Sequence, residues 1–120
     1  MIGFPFLKEL ISIEVYNDLM KSNLQKIKDY IKKKQYLIAS HAKLRMVERL
    51  ITTSDIEKAI KNGEIIEEYP EDIPCPSVLL LGKVKKKPIH IVIGICEDHI
   101  RIITEYIPSK VKWINYKKRR

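Results

Sequence analysis

At 120 residues the chain reads as one domain, long enough for a single core, with no composition break to mark a second. Its 45% hydrophobic content fits a soluble globular protein, while 23 Lys and Arg against 15 Asp and Glu give a formal charge of +8. That excess favours a polyanionic partner: nucleic acid first, an anionic membrane or an acidic protein second.

Met1 to Leu7 is apolar but meets Lys8 and Glu9 before a signal-peptide core forms. No stretch approaches the roughly 20 apolar residues that span a bilayer, so a cytoplasmic protein with no membrane partner is expected. Residues 12–35 read as one amphipathic helix with Val15, Leu19, Leu24, Ile27 and Ile31 as its apolar stripe. Lys32, Lys33 and Lys34 add positive charge at its C-terminus, where the macrodipole favours it. Tyr36 to Ala39 is too short for another helix and leads into Ser40 as an N-cap. A second helix runs from His41 to about Leu50. A third starts at Thr53 or Ser54, where Ser54-Asp55-Ile56-Glu57 matches a capping box, and stops at Asn62-Gly63.

The remainder reads as β-structure. Glu64 to Tyr69 is a first strand, and Pro70, Pro74 and Pro76 enforce an irregular connection. Val78 to Val84 is a second strand, followed by a basic turn, Lys85-Lys86-Lys87-Pro88. Ile89, Ile91, Ile93 and Ile95 alternate with His90, Val92, Gly94 and Cys96 over a long third strand. Glu97-Asp98-His99 is a turn. The fourth strand, Ile100 to Ile107, is read with Ile100, Ile102, Thr104 and Tyr106 on one face and Arg101, Ile103, Glu105 and Ile107 on the other, and Pro108 ends it. The expected class is α+β: about three N-terminal helices packed on one face of a four-stranded antiparallel sheet. Residues 1–35 form a helical extension, 36–116 the domain and 117–120 a basic tail. Cys75 and Cys96 are too few for a zinc cluster. A reduced pair is the expected state, with a disulfide open only if the fold brings them together.

The informative stretch is Ser40-His41-Ala42-Lys43-Leu44-Arg45-Met46-Val47-Glu48-Arg49. At roughly 100° per residue, His41, Arg45 and Arg49 fall within about 80° of arc, beside a buried stripe of Ala42, Met46 and Leu50. An imidazole beside two guanidiniums suits a phosphodiester. The plainer reading is a solvated basic face on which Glu48 pairs with Arg45.

Set beside later pieces, this motif is distinctive. His41-Ala42-x-x-Arg45-Met46-x-x-Arg49 is followed by Asp55-Ile56-x-x-Ala59-Ile60-x-x-Gly63-x-Ile65-Ile66-x-x-Tyr69 and Pro74-x-Pro76-Ser77-x-Leu79-x-Leu81-Gly82. Pro88-Ile89-His90-Ile91-Val92, Ile102-Ile103-Thr104-x-Tyr106-x-Pro108 and Trp113 complete it. From about Tyr36 to Trp113 the ordered set resembles domain-of-unknown-function family 4258, mostly bacterial, which carries no agreed activity. Its order of helices then sheet is similar to the RelE and BrnT group of toxins from toxin–antitoxin pairs. That fold-level similarity implies a small, basic, metal-independent ribonuclease, with no RelE-type catalytic motif to carry over.

Metal-free RNA cleavage needs a base for the 2′-hydroxyl proton, an acid for the leaving oxygen and cations for the phosphorane charge. His41 is the expected acid or base, with Arg45 and Arg49 as phosphate clamps. His90, opposite the isoleucine face and turned to solvent or a groove, is a second titrating group, though cross-strand packing is its plainer role. Thr104 and Tyr106 add hydrogen bonds, against an ordinary structural role in a strand. Lys86 and Lys87 in the hairpin, and Trp113, Lys117, Lys118 and Arg119 at the C-terminus, mix cations with an aromatic in a manner suited to single-stranded RNA, or form a frayed charged tail. His99 reads as solvent-exposed. No metal or cofactor is expected. The alternatives are a non-catalytic nucleic-acid-binding module, or a protein–protein module in which the N-terminal helix docks an acidic antitoxin-like partner or a second copy.

Overall fold

A computed structural model describes residues 12–120; Met1 to Leu7, and the part of the expected extension before Ser12, lie outside the described residues. The Ser12 hydroxyl accepts from Val15 N at 3.2 Å and starts α1 (Ile13–Lys32). The helix stops short of Gln35 because Lys34 enters the left-handed region, φ 59°, and Gln35 N returns to the Tyr30 carbonyl. Ile27 and Ile31 are buried as expected and Leu24 packs on the core, whereas Val15 and Leu19 are exposed and Tyr16 is buried in their place.

Tyr36–Ile38 is strand β1, not a mere lead-in: it pairs in parallel with a strand more than sixty residues later. Helix α2 (Ser40–Arg49) follows directly, so Ser40 lies inside it and Ala39 is a cap without a side-chain bond. Leu50 leaves the helix in the left-handed region, φ 56°, and is exposed rather than part of the buried stripe. Helix α3 (Thr53–Lys61) starts at the earlier of the two expected residues, and its capping box sits on Thr52, two residues before the expected Ser54. Thr52 Oγ1 accepts from Asp55 N and Asp55 Oδ2 from Thr52 N, both at 3.0 Å. Asn62 caps its C-terminus.

Strands β2 (Glu64–Tyr69), β3 (Ser77–Val84), β4 (Lys87–Ile95) and β5 (Ile100–Tyr106) form antiparallel neighbours. With β1 the sheet has five strands in the order β1-β5-β4-β3-β2, so the expected four-stranded antiparallel sheet becomes a five-stranded mixed one. The basic turn is narrower than expected: Lys85 and Lys86 both take positive φ between paired Val84 and Lys87, a two-residue type I′ hairpin. The helices pack on one face. Ile27, Ile31, Ile56, Ile60, Leu80, Ile91, Ile93, Ile100 and Ile102 form the core between helices and sheet. The approach of α3 to β3 requires Gly82, since a Cβ there would fall on the Ala59 carbonyl.

Two irregularities decide where the chemistry sits. In β5 the pairing steps from Ile93–Ile102 to Val92–Thr104, leaving Ile103 as an extra residue. Beyond this bulge the faces exchange. Glu105, opposite Ile91, points to the helix side and is fully buried, while Thr104 and Tyr106 join His90 on the other face. The expected grouping of Ile102 with Thr104 and Tyr106 therefore fails.

The C-terminus is the second irregularity. Trp113–Ile114 (β6) and Lys118–Arg119 (β7) pair as a separate two-stranded sheet around a turn at Asn115 and Tyr116. The expected tail at 117–120 is thus part of a folded hairpin. Cys75 and Cys96 are joined as a disulfide, Cα atoms 5.2 Å apart, so the expected reduced pair gives way to a crosslink between the proline-rich connection and the end of β4. Among the described residues no helix is long and apolar enough to cross a membrane.

Candidate functional site

Helix α2 turns His41, Arg45 and Arg49 to the same side because they stand four residues apart, while Ala42 and Met46 on the adjacent stripe anchor it in the core. These three side chains form one wall of a cleft of about 490 Å³. Thr104 and Tyr106 of β5, turned there by the bulge at Ile103, and Trp113 contribute to the rest of its lining. The remainder comes from Lys112 and Arg119 and from the loop Ile107, Pro108 and Ser109. No carboxylate is among the described residues that line it.

Inside the wall, Arg45 Nε lies 3.4 Å from His41 Nε2, and Arg45 Nη1 is 2.9 Å from Glu48 Oε2. The local Glu48 pair of the plainer reading is therefore present. Arg45 is half-buried and Glu48 exposed, and pairs near the surface are worth only about 0–1 kcal/mol, little enough for an entering phosphate to displace. Arg49 is held differently: its Nη1 donates to the main-chain carbonyl of Glu105.

His90 is a correction. It lies on the face expected of it, yet it is fully buried rather than turned to solvent or a groove. Its Nε2 is 2.6 Å from the Tyr116 carbonyl and its Nδ1 is 3.1 Å from the Tyr106 hydroxyl. A carbonyl only accepts, so Nε2 carries the proton, and Nδ1 of the neutral ring accepts from Tyr106. Burial lowers the His90 pKa, outweighing the Tyr116 carbonyl and Glu67, which favour the charged ring. Trp113 seals it, edge-on at 4.4 Å between ring centroids. His90 is thus packed behind the cleft and not at its surface.

Arg119 covers Trp113, its guanidinium carbon 4.6 Å from the ring centroid, and its Nε bonds Glu67 Oε2 at 2.9 Å. Burial opposes ionisation of Glu67, but Arg119 and the Tyr69 hydroxyl more than offset it, and its pKa is lowered. The hairpin is pinned again by Lys117 to Glu64 at 2.8 Å.

Of the expected site residues, His41, Arg45, Arg49, Thr104, Tyr106, Trp113 and Arg119 meet at one cleft. Lys86 and Lys117 line a separate groove, Lys87 lines a recess between the two, and Lys118 is exposed outside the cleft lining. Trp113 is buried and covered by Arg119, which corrects its expected role as an open stacking surface. His99 stays in its turn, 2.7 Å from Asp98.

Glu105 was not singled out in the sequence. Its carboxylate is buried with neither oxygen hydrogen-bonded, and burial pushes its pKa up to about 7 against the pull of Arg49. A lone carboxylate in an isoleucine-rich strand was the available signal. Among the described residues no three His, Cys, Asp or Glu side chains gather as a metal site would need.

No curated protein and no solved structure matches the chain. Residues 38–107, from the end of β1 through α2, α3 and β2–β5 to Ile107, match the profile of one family; Lys112, Trp113 and Arg119 lie beyond that segment. On that match the chain belongs to the family described as Domain of unknown function (DUF4258).

Proposed function

We propose that the cleft binds RNA and that the protein is a toxin-like, metal-independent endoribonuclease with His41 as its acid–base group. The observation that supports this reading is the convergence of His41 with Arg45, Arg49, Lys112 and Arg119 on one cleft that no described carboxylate lines. His41 takes the 2′-hydroxyl proton as that oxygen attacks phosphorus. Arg45 and Arg49 hold the phosphate oxygens as negative charge builds on them. With His90 buried, the leaving 5′-oxygen takes its proton from His41 or from water in the open cleft rather than from a second imidazole.

The burial of His90 also favours the second reading, a module that binds nucleic acid without cutting it. A single experiment separates the two: cleavage of a mixed-sequence RNA in EDTA by wild type and His41→Ala. The nuclease reading expects wild-type cutting and a loss of about 10²- to 10⁴-fold in the variant. Equal binding with no cutting by either would establish the binding module for the isolated protein, leaving ribosome-dependent cleavage to be tried. A protein partner, acidic and antitoxin-like or a second copy, would meet α1, where Ile13, Val15 and Leu19 are exposed.

A further inference from the structure

We infer that the cleft is one end of a continuous cationic track, which holds a single-stranded RNA for several nucleotides beyond the phosphate at His41. The inference rests on the cleft taking RNA, and it extends that reading to the length and form of the ligand.

Three concavities are joined end to end by shared walls. Arg49 and Ile107 line both the cleft and a recess of about 360 Å³. Lys85 lines both that recess and a groove of about 850 Å³, to which Lys83, Lys86 and Lys117 also belong. Cations therefore reach the path from α2, from the β3–β4 turn and from the C-terminal hairpin. The described carboxylates along it are Asp55 and Glu64, and each is engaged. Asp55 closes the cap of α3, and Glu64 pairs with Lys117 at 2.8 Å.

The turn supplies an independent observation. Lys85 and Lys86 sit at φ 51° and 68°, positions that Asn and Gly occupy at much lower cost. Two lysines here break the local rule for a type I′ turn, and such exceptions concentrate where function outweighs backbone preference. Their position places charge at the bend of the track.

The path also selects the form of the ligand. Ile51 and Ile89 line the recess on the helix side of the sheet, whereas the groove runs from Asn62 and Gly82 at the end of α3 to Leu81, Lys83 and Tyr116 on the other face. The track thus folds around the hairpin tip within a molecule 42 Å in its longest dimension. A single strand can follow that bend, whereas a duplex, stiff over about 150 bp in the case of DNA, cannot.

The test measures binding of 2′-O-methyl oligouridines, which lack the attacking hydroxyl, so that binding is read apart from cleavage. Oligomers of about 4 and about 12 nucleotides fall near the lower end and within the usual range of single-strand sites, about 4–16. The variant Lys83→Gln, Lys85→Asn, Lys86→Gly removes three charges and installs the residues that a type I′ turn prefers. The track requires the longer oligomer to bind wild type at least about tenfold more tightly. It also requires the variant to lose about that factor for the longer oligomer while the shorter one is held as before. The slope of log K against log salt should fall by roughly 2 for the longer oligomer, at about 0.7 per phosphate contact. Equal affinity for both lengths overturns the track, as does equal weakening of both in the variant, or a duplex bound as tightly as the single strand. If wild type cuts RNA in EDTA yet binds both lengths alike, the track alone falls. If wild type binds neither, the proposed function falls and the track with it.

Discussion

Trp113 stands edge-on to His90, ring centroids 4.4 Å apart and planes at 89°, so a histidine expected to titrate in the open is the footing of the C-terminal hairpin. The Tyr116 carbonyl, in the turn of the same hairpin, accepts from His90 Nε2 at 2.6 Å. The hairpin in turn carries Arg119 to the cleft, with Lys112 immediately before it.

Substituting the two histidines should therefore separate stability from chemistry. His90→Ala leaves a cavity and unpaired groups at Tyr106 and Tyr116, and should cost about 2–4 kcal/mol in urea unfolding. Trp113, the only tryptophan, should shift its emission to the red as the hairpin loosens, and RNA binding should weaken with it. His41→Ala, on an exposed helix face, should change stability by less than about 0.5 kcal/mol. Comparable destabilisation by both substitutions would contradict the role of His90 as the footing of the hairpin.

Glu105 gives the protein a pH dependence of definite sign. Burial, only partly offset by Arg49, raises its pKa from 4.5 to about 7 in the fold. Between those values the folded state keeps a proton that the unfolded chain has released. Stability from this group is fully present below pH 4.5, falls as pH rises and levels off above about 7. At 1.36 kcal/mol per unit the whole effect is on the order of 3 kcal/mol. His90 acts in the opposite direction, because its lowered pKa makes protonation below about 6.5 favour unfolding. Comparing Glu105→Gln with wild type cancels the His90 contribution. The variant should gain on wild type from about pH 5 to about pH 7 and level off above that in chemical denaturation, and a pH-independent difference would refute the burial of an unpaired carboxyl.

Leu50 ends α2 in the left-handed region at φ 56° with its side chain almost wholly exposed. Truncating it removes little packing, while glycine occupies that conformation without strain. Leu50→Gly should raise the unfolding free energy by about 0.5–1 kcal/mol, read as a higher denaturation midpoint at unchanged m-value.

The Cys75–Cys96 bond closes a loop across a sequence separation of 21. Chain entropy for a loop of that length corresponds to about 3 kcal/mol. The double variant Cys75→Ala, Cys96→Ala should lose about that much stability, and the untreated protein should resist thiol alkylation until unfolded under reducing conditions. Ready alkylation of the native protein would show the pair reduced.

Much of the candidate site was legible because it is local. His41, Arg45 and Arg49 share a face through the 3.6-residue period alone, and Ala42 and Met46 mark the buried stripe beside it. The period-two run from Ile89 to Ile95 likewise announced β4, and the matched segment 38–107 was recognisable from its ordered motifs. What escaped depends on partners distant in the chain. Tyr36–Ile38 is a strand only because β5 lies beside it, since three residues carry no period of their own. The bulge at Ile103 exists through the register with β4, and one extra residue reverses every side chain beyond it, hence the exchange of Glu105 with Thr104 and Tyr106. Whether His90 met water or a tryptophan, and whether two cysteines met each other, followed from where the proline-rich connection and the C-terminal hairpin came to rest. Helical periodicity was written into neighbouring residues; tertiary packing determined what those faces would meet.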